Sequence, residues 1–305
     1  LADHYTTPAM LLALLLGIAL SFLSEDATTQ DGISFAAQTL LRMGIALLGL
    51  RISFDLIAAL GLPLISLVIG GMIATIAFGL AIGRFFGHRW RFALLTGGAV
   101  AICGASAALA ISAILPKDER SEERLIFTVL GVTVLSTIAM IVYPILSIRL
   151  GLSDVQSGVF LGGTIHDVAQ VVGAGYTISV DAGDTATLVK LIRVAMLAPI
   201  IVIAALVIRQ FVQTDDISER PKLLPFFVIA FLCFASINTF GLVPDIVTQW
   251  GSDISGWLLL TAIAAVGMKT NLKNVLTVGG KAIALIIVQT VFLAGVTLAG
   301  IMCIT

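Results

Sequence analysis

The sequence is poor in charged residues and in cysteine, and each shortage excludes a class of protein. Asp, Glu, Lys and Arg make up 11% of its 305 residues, whereas soluble domains carry about 25%. Cys103, Cys233 and Cys303 all lie in apolar runs, which argues against a disulfide framework and against a metal cluster. The net charge of −1 favours no nucleic-acid partner, and no nucleotide-binding motif is present. We therefore expect no cofactor, no bound metal and no ATP-driven activity from this chain alone.

Apolar sequence dominates the chain. Hydrophobic residues make up 59% of it, and the mean hydropathy is +1.11. Because a spanning helix needs about 20 consecutive apolar residues, this composition predicts an all-α polytopic membrane protein in a lipid bilayer. The alternating strands of membrane barrels are absent from the sequence. Eight apolar runs are long enough, or nearly so: 7–23, 34–50, 62–86, 122–148, 185–211, 223–240, 253–268 and 277–303.

Two further apolar segments, 92–116 and 155–180, are interrupted by glycines. A shift of 65 residues places Gly97-Gly98 on Gly162-Gly163, and a shift of 218 places residues 49–53 on 267–271. These matches indicate inverted repeats, a common plan among transporters. Each interrupted segment is either a re-entrant hairpin of two half-helices, which leaves about eight spans, or a broken spanning helix, which gives ten.

The distribution of positive charge favours the hairpins. With two hairpins, twelve Lys and Arg residues lie on one side of the membrane and two, Arg51 and Arg149, on the other; with ten spans the counts are nine and five. The positive-inside rule prefers the more asymmetric arrangement, which puts both termini outside the cytoplasm. The twelve are Arg84, Arg89, Arg91, Lys117, Arg120, Arg124, Arg209, Arg220, Lys222, Lys269, Lys273 and Lys281.

The order of elements divides the chain into three parts. Residues 1–91 hold scaffold helices 1–3, and residues 212–305 hold scaffold helices 6–8. Residues 92–211 hold a transport core of hairpin 1, helix 4, hairpin 2 and helix 5. This order is similar to that of the cores of glutamate-type elevator transporters, and the analogy implies a core that moves against a fixed, homodimeric scaffold.

Polar residues concentrate at the centre of the second interrupted segment. Thr164 and Asp167 fit the capping-box pattern, so we expect a helix to restart at Thr164 with its positive end inside the membrane, where an anion can bind. Asp167 is then a cap, an ion or proton site, or both. His166 and Gln170 have i, i+4 spacing and are expected on one helix face. His166 either couples protons or is a neutral ring bonded to a backbone carbonyl.

Two cations follow inside the apolar run of helix 5. Lys190 lies near the helix start and could extend to the membrane surface. Arg193 is deeper and keeps its charge, so it needs a partner: Asp167, a hairpin carbonyl or an anionic substrate. Its forked guanidinium suits an oxyanion. Arg42 lies in the middle of helix 2, and we interpret it as a structural ion pair or an interface residue.

The first interrupted segment supplies the small residues 103–107. Small residues let backbones approach closely, and Ser106 is placed to cap the second half-helix; tight packing alone is the alternative. Asp167 and His166 are the candidate coupling residues. The candidate substrate-binding residues are Cys103, Gly104, Ala105, Ser106, Gly163, Thr164, His166, Gln170, Lys190 and Arg193.

Three stretches carry a resemblance to a known family. Residues 97–108, 163–175 and 190–199, with the sequence His-Asp-Val-Ala-Gln-Val-Val from His166, resemble the YeiH-like family of bacterial inner-membrane proteins, commonly called sulfate exporters. The resemblance covers nearly the whole chain and departs at the N-terminus, where some relatives carry an extra span. It implies a multi-pass transporter of the bacterial plasma membrane, with a small oxyanion such as sulfate as the substrate class.

We therefore expect a secondary transporter, not an enzyme. It would export or exchange a small oxyanion by an elevator-type mechanism, with Arg193 and the hairpin tips holding the anion and with proton or cation coupling through His166 and Asp167. Two alternatives are a passive anion channel, distinguished by a far higher turnover, and an intramembrane enzyme that uses Cys103 or His166.

Overall fold

The computed structural model describes residues 9–50, 54–116, 118–211, 226–269 and 280–304. Every regular element in these ranges is helical and none is a strand, which confirms the predicted all-α fold. Several positions in the charge count lie outside the described residues: Arg51, Lys117, Arg220, Lys222 and Lys273. The side chains of Arg209 and Lys281 also lie outside the description.

The described ranges contain long helices, short helices and one π-helical turn. A π-helix, Ala36–Leu40, joins α2 to α3, and short 3-10 helices cover Ser21–Glu25 and Gly83–Phe86. In chain order the α-helices are α1 (Ala9–Ala19), α2 (Gln30–Phe35), α3 (Leu41–Leu48), α4 (Phe54–Ile82), α5 (Trp90–Ala101), α6 (Ala105–Ile114), α7 (Ser121–Arg149), α8 (Asp154–Thr164), α9 (Val168–Ile178), α10 (Val180–Ala195), α11 (Leu197–Phe211), α12 (Phe226–Thr239), α13 (Asp245–Lys269) and α14 (Gly280–Ile304).

Five helical stretches in the described residues are long and apolar enough to cross a membrane, and they support a multi-pass membrane protein. They correspond to predicted spans 3, 4, 5, 7 and 8: Leu60–Phe86, Glu123–Arg149, Val180–Ile208, Ile246–Lys269 and Ala282–Ile304. The other three predicted spans are shorter or interrupted. Helix α1 has 11 residues and α12 has 14, and the π-helix divides the second.

Helices α5 and α6 fold back on each other as a helical hairpin, hairpin 1. A methyl group on Gly98 of α5 would lie 2.1 Å from Cδ1 of Ile111 of α6. At the open end, Nη1 of Arg91 lies 3.4 Å from the carbonyl oxygen of Pro116 and 3.1 Å from Oδ2 of Asp118. On one continuous helix Gly98 and Ile111 would be about 20 Å apart. The two half-helices are therefore not collinear.

Helices α8 and α9 form hairpin 2 in the same way. A methyl group on Gly158 of α8 would lie 2.9 Å from the carbonyl oxygen of Ala182 of α10, and one on Gly175 of α9 would lie 3.2 Å from the same atom. Both arms therefore pack against α10 at the same height, near Ala182. Residues 165–167, which join the two arms, form the tip of the hairpin. The chain then turns at Ser179, whose hydroxyl accepts from the backbone N–H of Ala182 at 3.0 Å and caps α10.

The helices pack in two groups. The scaffold group consists of α1, α2, α3, α12 and α13, and the core group consists of α4 to α11 with α14. A methyl group on Gly97 of hairpin 1 would lie 3.5 Å from Cα of Ile76 of α4, and one on Gly163 of hairpin 2 would lie 3.1 Å from Cγ2 of Thr297 of α14. Helices α4 and α14, which the sequence placed in the scaffold triplets, thus pack against the hairpins.

The contact between α8 and α10 makes Gly162 a sensitive position. A methyl group there would lie 2.4 Å from the carbonyl oxygen of Ala186, a backbone atom that cannot rotate away. We expect Gly162→Ala to lower the free energy of unfolding by about 1–3 kcal/mol, the usual cost of overpacking. The measurement is the melting temperature in detergent. Gly256→Ala is the control, because nothing lies within 4 Å of a methyl group there. If Gly162→Ala melted at the same temperature as Gly256→Ala, the close packing of α8 on α10 would be contradicted.

Candidate functional site

Arg193 of α10 is fully buried at the point where the two hairpin tips meet. Its Nε donates to Ala101 O at 3.0 Å, its Nη1 to Gly162 O and Ile165 O at 3.0 and 3.2 Å, and its Nη2 to Val100 O and Ala101 O at 3.0 and 2.7 Å. A guanidinium has five N–H groups, so all are used. The carbonyls belong to the ends of α5 and α8, where a helix leaves its last carbonyls unpaired. Arg193 therefore caps the first arm of both hairpins.

Lys190 repeats this arrangement about one turn earlier. It is fully buried, and its Nζ donates to Ile102 O and Ile165 O, both at 2.9 Å. Lys190 therefore does not extend to the membrane surface. The sequence analysis considered Asp167, a hairpin carbonyl and an anionic substrate as partners of Arg193, and the structure shows hairpin carbonyls. In this arrangement no N–H of Arg193 is available to an anion, contrary to the expected ligand role.

The tip of hairpin 2 restarts as a helix later than predicted. The N-cap of α9 is Asp167, whose Oδ1 accepts from the backbone N–H of Ala169 at 2.8 Å and of Gln170 at 3.4 Å. Thr164 is instead the last residue of α8, and its hydroxyl donates to a carbonyl of its own helix. The predicted restart at Thr164 is wrong because the Asp167 carboxylate satisfies the first N–H groups of α9. The predicted capping role of Asp167 is observed.

His166 and Gln170 point to different partners, because His166 precedes α9 and is not helical. The His166 ring is buried, and its Nε2 lies 3.1 Å from Oγ1 of Thr290 on α14. The backbone N–H groups of His166 and of the next residue both donate to Oγ of Ser136 at 3.1 Å. Gln170 faces α7, where its Nε2 donates to Oγ1 of Thr137 at 3.0 Å. The shared helix face predicted from their spacing is therefore not formed.

The tip of hairpin 1 has no corresponding cap. Gly104, with φ +64°, is the N-cap of α6, and it has no side chain that could accept from the first N–H groups of that helix. Ser106 lies inside α6 and does not cap it, contrary to the prediction. Glycine suits position 104 because its φ is positive. A methyl group there would lie 3.4 Å from Cβ of His166, so the two tips are in contact.

A cavity of about 440 Å³ opens beside the two tips, between the core group and the scaffold group. Polar residues from both groups line it: Gln38, Arg42, Cys103, Ser106, Thr133, Thr137, Asp167, Gln170 and Lys269. Three of the ten candidate substrate-binding residues are therefore at the cavity, together with the candidate coupling residue Asp167. The others are not among its lining residues: Gly104, Ala105, Gly163, Thr164, His166, Lys190 and Arg193.

The scaffold contributes two cations that the sequence did not indicate as ligands. Arg42 forms no ion pair or hydrogen bond within the described part of the chain, so the structural pair expected for it is not formed there. It follows the π-helix Ala36–Leu40, and such turns are frequent at functional sites. Lys269 lies at the end of α13, with Nζ 3.2 Å from Oγ of Ser34. One sequence signal could have indicated Arg42 as a ligand: an ionisable residue inside a membrane helix is a functional candidate by default.

Comparisons with known proteins place the chain in a family. The family model described as "Conserved hypothetical protein 698" matches residues 2–286. The UPF0324 membrane protein TauZ of Paracoccus pantotrophus is 59% identical over 303 residues, which cover 99% of this chain and 90% of the relative. A UPF0324 membrane protein of Rhizobium meliloti is 57% identical over 98% of this chain and 87% of its own length. One of Chlorobaculum tepidum is 51% identical, covering 99% and 84% of the two chains. These matches confirm the resemblance noted from the sequence: the chain belongs to the UPF0324 family of membrane proteins, which is the YeiH-like family.

Proposed function

We propose that the protein is a secondary transporter of the bacterial plasma membrane that exports or exchanges a small oxyanion such as sulfate. The observation that carries this proposal is the cavity between the core and scaffold groups, at the point where the two hairpin tips meet. Interrupted helices that end near the middle of a membrane commonly build substrate and ion sites in transporters. Backbone of this kind is tolerated at membrane depth where it lines a cavity or is buried in protein.

The proposed movement is of the elevator type. Lys190 and Arg193 bond to carbonyls of both hairpins, so they tie the two tips into one unit. In our proposal the hairpins enter the bilayer from opposite sides, because the spanning helix α7 separates their open ends. The core group, including α4 and α14, then moves against the scaffold group and exposes the shared cavity to each side in turn.

We assign proton or cation coupling to Asp167. Its carboxylate is exposed at the cavity, whereas the His166 ring is buried against Thr290. In this assignment His166 holds the tip of hairpin 2 on α14, and Asp167 gains or loses the coupled proton or cation. Because Asn is as good an N-cap as Asp, the role of the charge can be tested without removing the cap.

Uptake into proteoliposomes tests the transport proposal. The panel is sulfate, sulfite, sulfonates and carboxylates, each with and without pH and sodium gradients. We expect saturable uptake of at least one oxyanion that responds to one of the gradients. We expect Asp167→Asn to keep exchange of the anion and to lose the response to the gradient. Flux of thousands of ions per second without saturation would indicate a channel, and the absence of flux for every anion would reject the proposal.

A further inference from the structure

The two hairpin tips present opposite chemistry to the cavity, although the repeat relates them. On hairpin 1, the N-cap of α6 is Gly104, which has no side chain to cap the helix, and Ser106 is exposed at the cavity. On hairpin 2, the Asp167 carboxylate occupies the start of α9 and is itself exposed at the cavity. One tip therefore offers hydrogen-bond donors, and the other offers an acceptor that carries a negative charge.

Gln170 contributes a second acceptor, in the same half-helix that Asp167 caps. The hydroxyl of Thr137 donates its only hydrogen to Thr133 O at 3.0 Å, so its oxygen can only accept from the Gln170 amide. The Gln170 amide nitrogen must therefore face Thr137, as observed at 3.0 Å, and its Oε1 must face elsewhere. Gln170 is 5% exposed, and this Oε1 has no partner within the described residues. A buried acceptor without a donor is costly, so we expect either a water or a ligand that replaces it to donate there.

A second set of groups at the cavity, which we call the anion pole, suits an anionic group. The α6 N-terminus and the Ser106 hydroxyl can donate to it, and helix N-termini attract negative charge. Arg42 on the scaffold lines the same cavity with its guanidinium unpaired in the described part of the chain. A simple anion would satisfy this pole only. It would leave Gln170 Oε1 without a donor and would lie near the like charge of Asp167.

We propose that the cavity binds a small molecule that carries an anionic group and, a few atoms away, a hydrogen-bond donor such as an ammonium or hydroxyl group. The anionic group lies at Ser106, the α6 N-terminus and Arg42, and the donor lies at Asp167 and Gln170. A volume of about 440 Å³ is ample for such a molecule. This inference rests on the proposed transport function and narrows its substrate class to small anions that also carry a hydrogen-bond donor.

Three sulfonates of equal length test whether a hydrogen-bond donor on the ligand strengthens its binding. The probes are 2-aminoethanesulfonate, 2-hydroxyethanesulfonate and propane-1-sulfonate, which share the anionic group and differ only in the last heavy atom. Binding to the full chain in detergent is measured by titration calorimetry. We expect the amine to bind about 10- to 100-fold more tightly than the propyl compound, because a hydrogen bond to a charged group has this effect. The hydroxyl compound is expected between them.

Variants then locate the donor pole. In Asp167→Asn we expect the preference for the amine over the propyl compound to fall to less than about threefold. Asp154→Asn is the control, because Asp154 is an exposed residue of α8 that does not line the cavity. We expect this control to keep the wild-type preference. Equal binding of all three probes to the wild type would overturn the inference without needing any variant. Transport of sulfate with no binding of the probes would also overturn it, and would leave the transporter proposal intact. Failure of every anion to move would reject the transporter itself.

Discussion

Arg193→Ala is expected to unfold the core of the protein, and its effect on an anion would follow from that. The guanidinium makes five hydrogen bonds to the carbonyls of both hairpins, and the site is fully buried. Alanine leaves carbonyl oxygens of two helix ends unpaired in a fully buried region, at about 1–3 kcal/mol each. We expect the melting temperature in detergent to fall by roughly 10 °C or more, with a loss of monodisperse protein.

Two further variants make this result specific. Arg193→Lys keeps the charge but has three donors without the planar fork, so its melting temperature should lie between those of the wild type and Arg193→Ala. Arg149→Ala removes an exposed arginine at the end of α7 and should leave the melting temperature unchanged. An Arg193→Ala protein with the wild-type melting temperature but no oxyanion binding would restore the ligand role and refute the capping role.

Arg42→Gln is expected to reduce uptake of the anion strongly in a protein that remains folded. Arg42 has no hydrogen-bond or ion-pair partner among the described residues, so its removal breaks no such bond there and the melting temperature should not change. The cavity, however, loses a guanidinium that can bind an oxyanion through two parallel hydrogen bonds. We expect uptake to fall by about 10- to 100-fold. Arg42→Lys keeps the charge without the fork and should retain part of the activity.

The same proteoliposome assay separates the possible outcomes for Arg42. Arg149→Gln is the matched control, because it removes an exposed arginine that does not line the cavity. Full uptake by Arg42→Gln would show that the anion is held elsewhere. A lowered melting temperature together with lost uptake would show that Arg42 is structural, which was our interpretation from the sequence.

The sequence by itself determined the helical membrane fold and its two glycine-interrupted segments. These depend on local chemistry: apolar runs of sufficient length form helices in a bilayer, and glycines with nearby caps end and restart them. The two hairpins begin at Trp90 and Asp154, and the separation of these residues is close to the 65-residue shift that aligns the two glycine pairs. The prediction that Arg193 needs a buried partner followed from its permanent charge alone.

Only the tertiary structure decided what the charged and polar side chains bind. Arg193 bonds to residues 28 to 93 positions away in the chain. A guanidinium can donate to a carbonyl or to an oxyanion, so sequence spacing could not choose between them. The difference between the two tips likewise depends on whether a carboxylate reaches the free N–H groups of a half-helix, as Asp167 does in α9. Arg42 lines the same cavity as the hairpin tips because the fold places α3 and the tips on its walls, an arrangement of distant segments that no local pattern encodes.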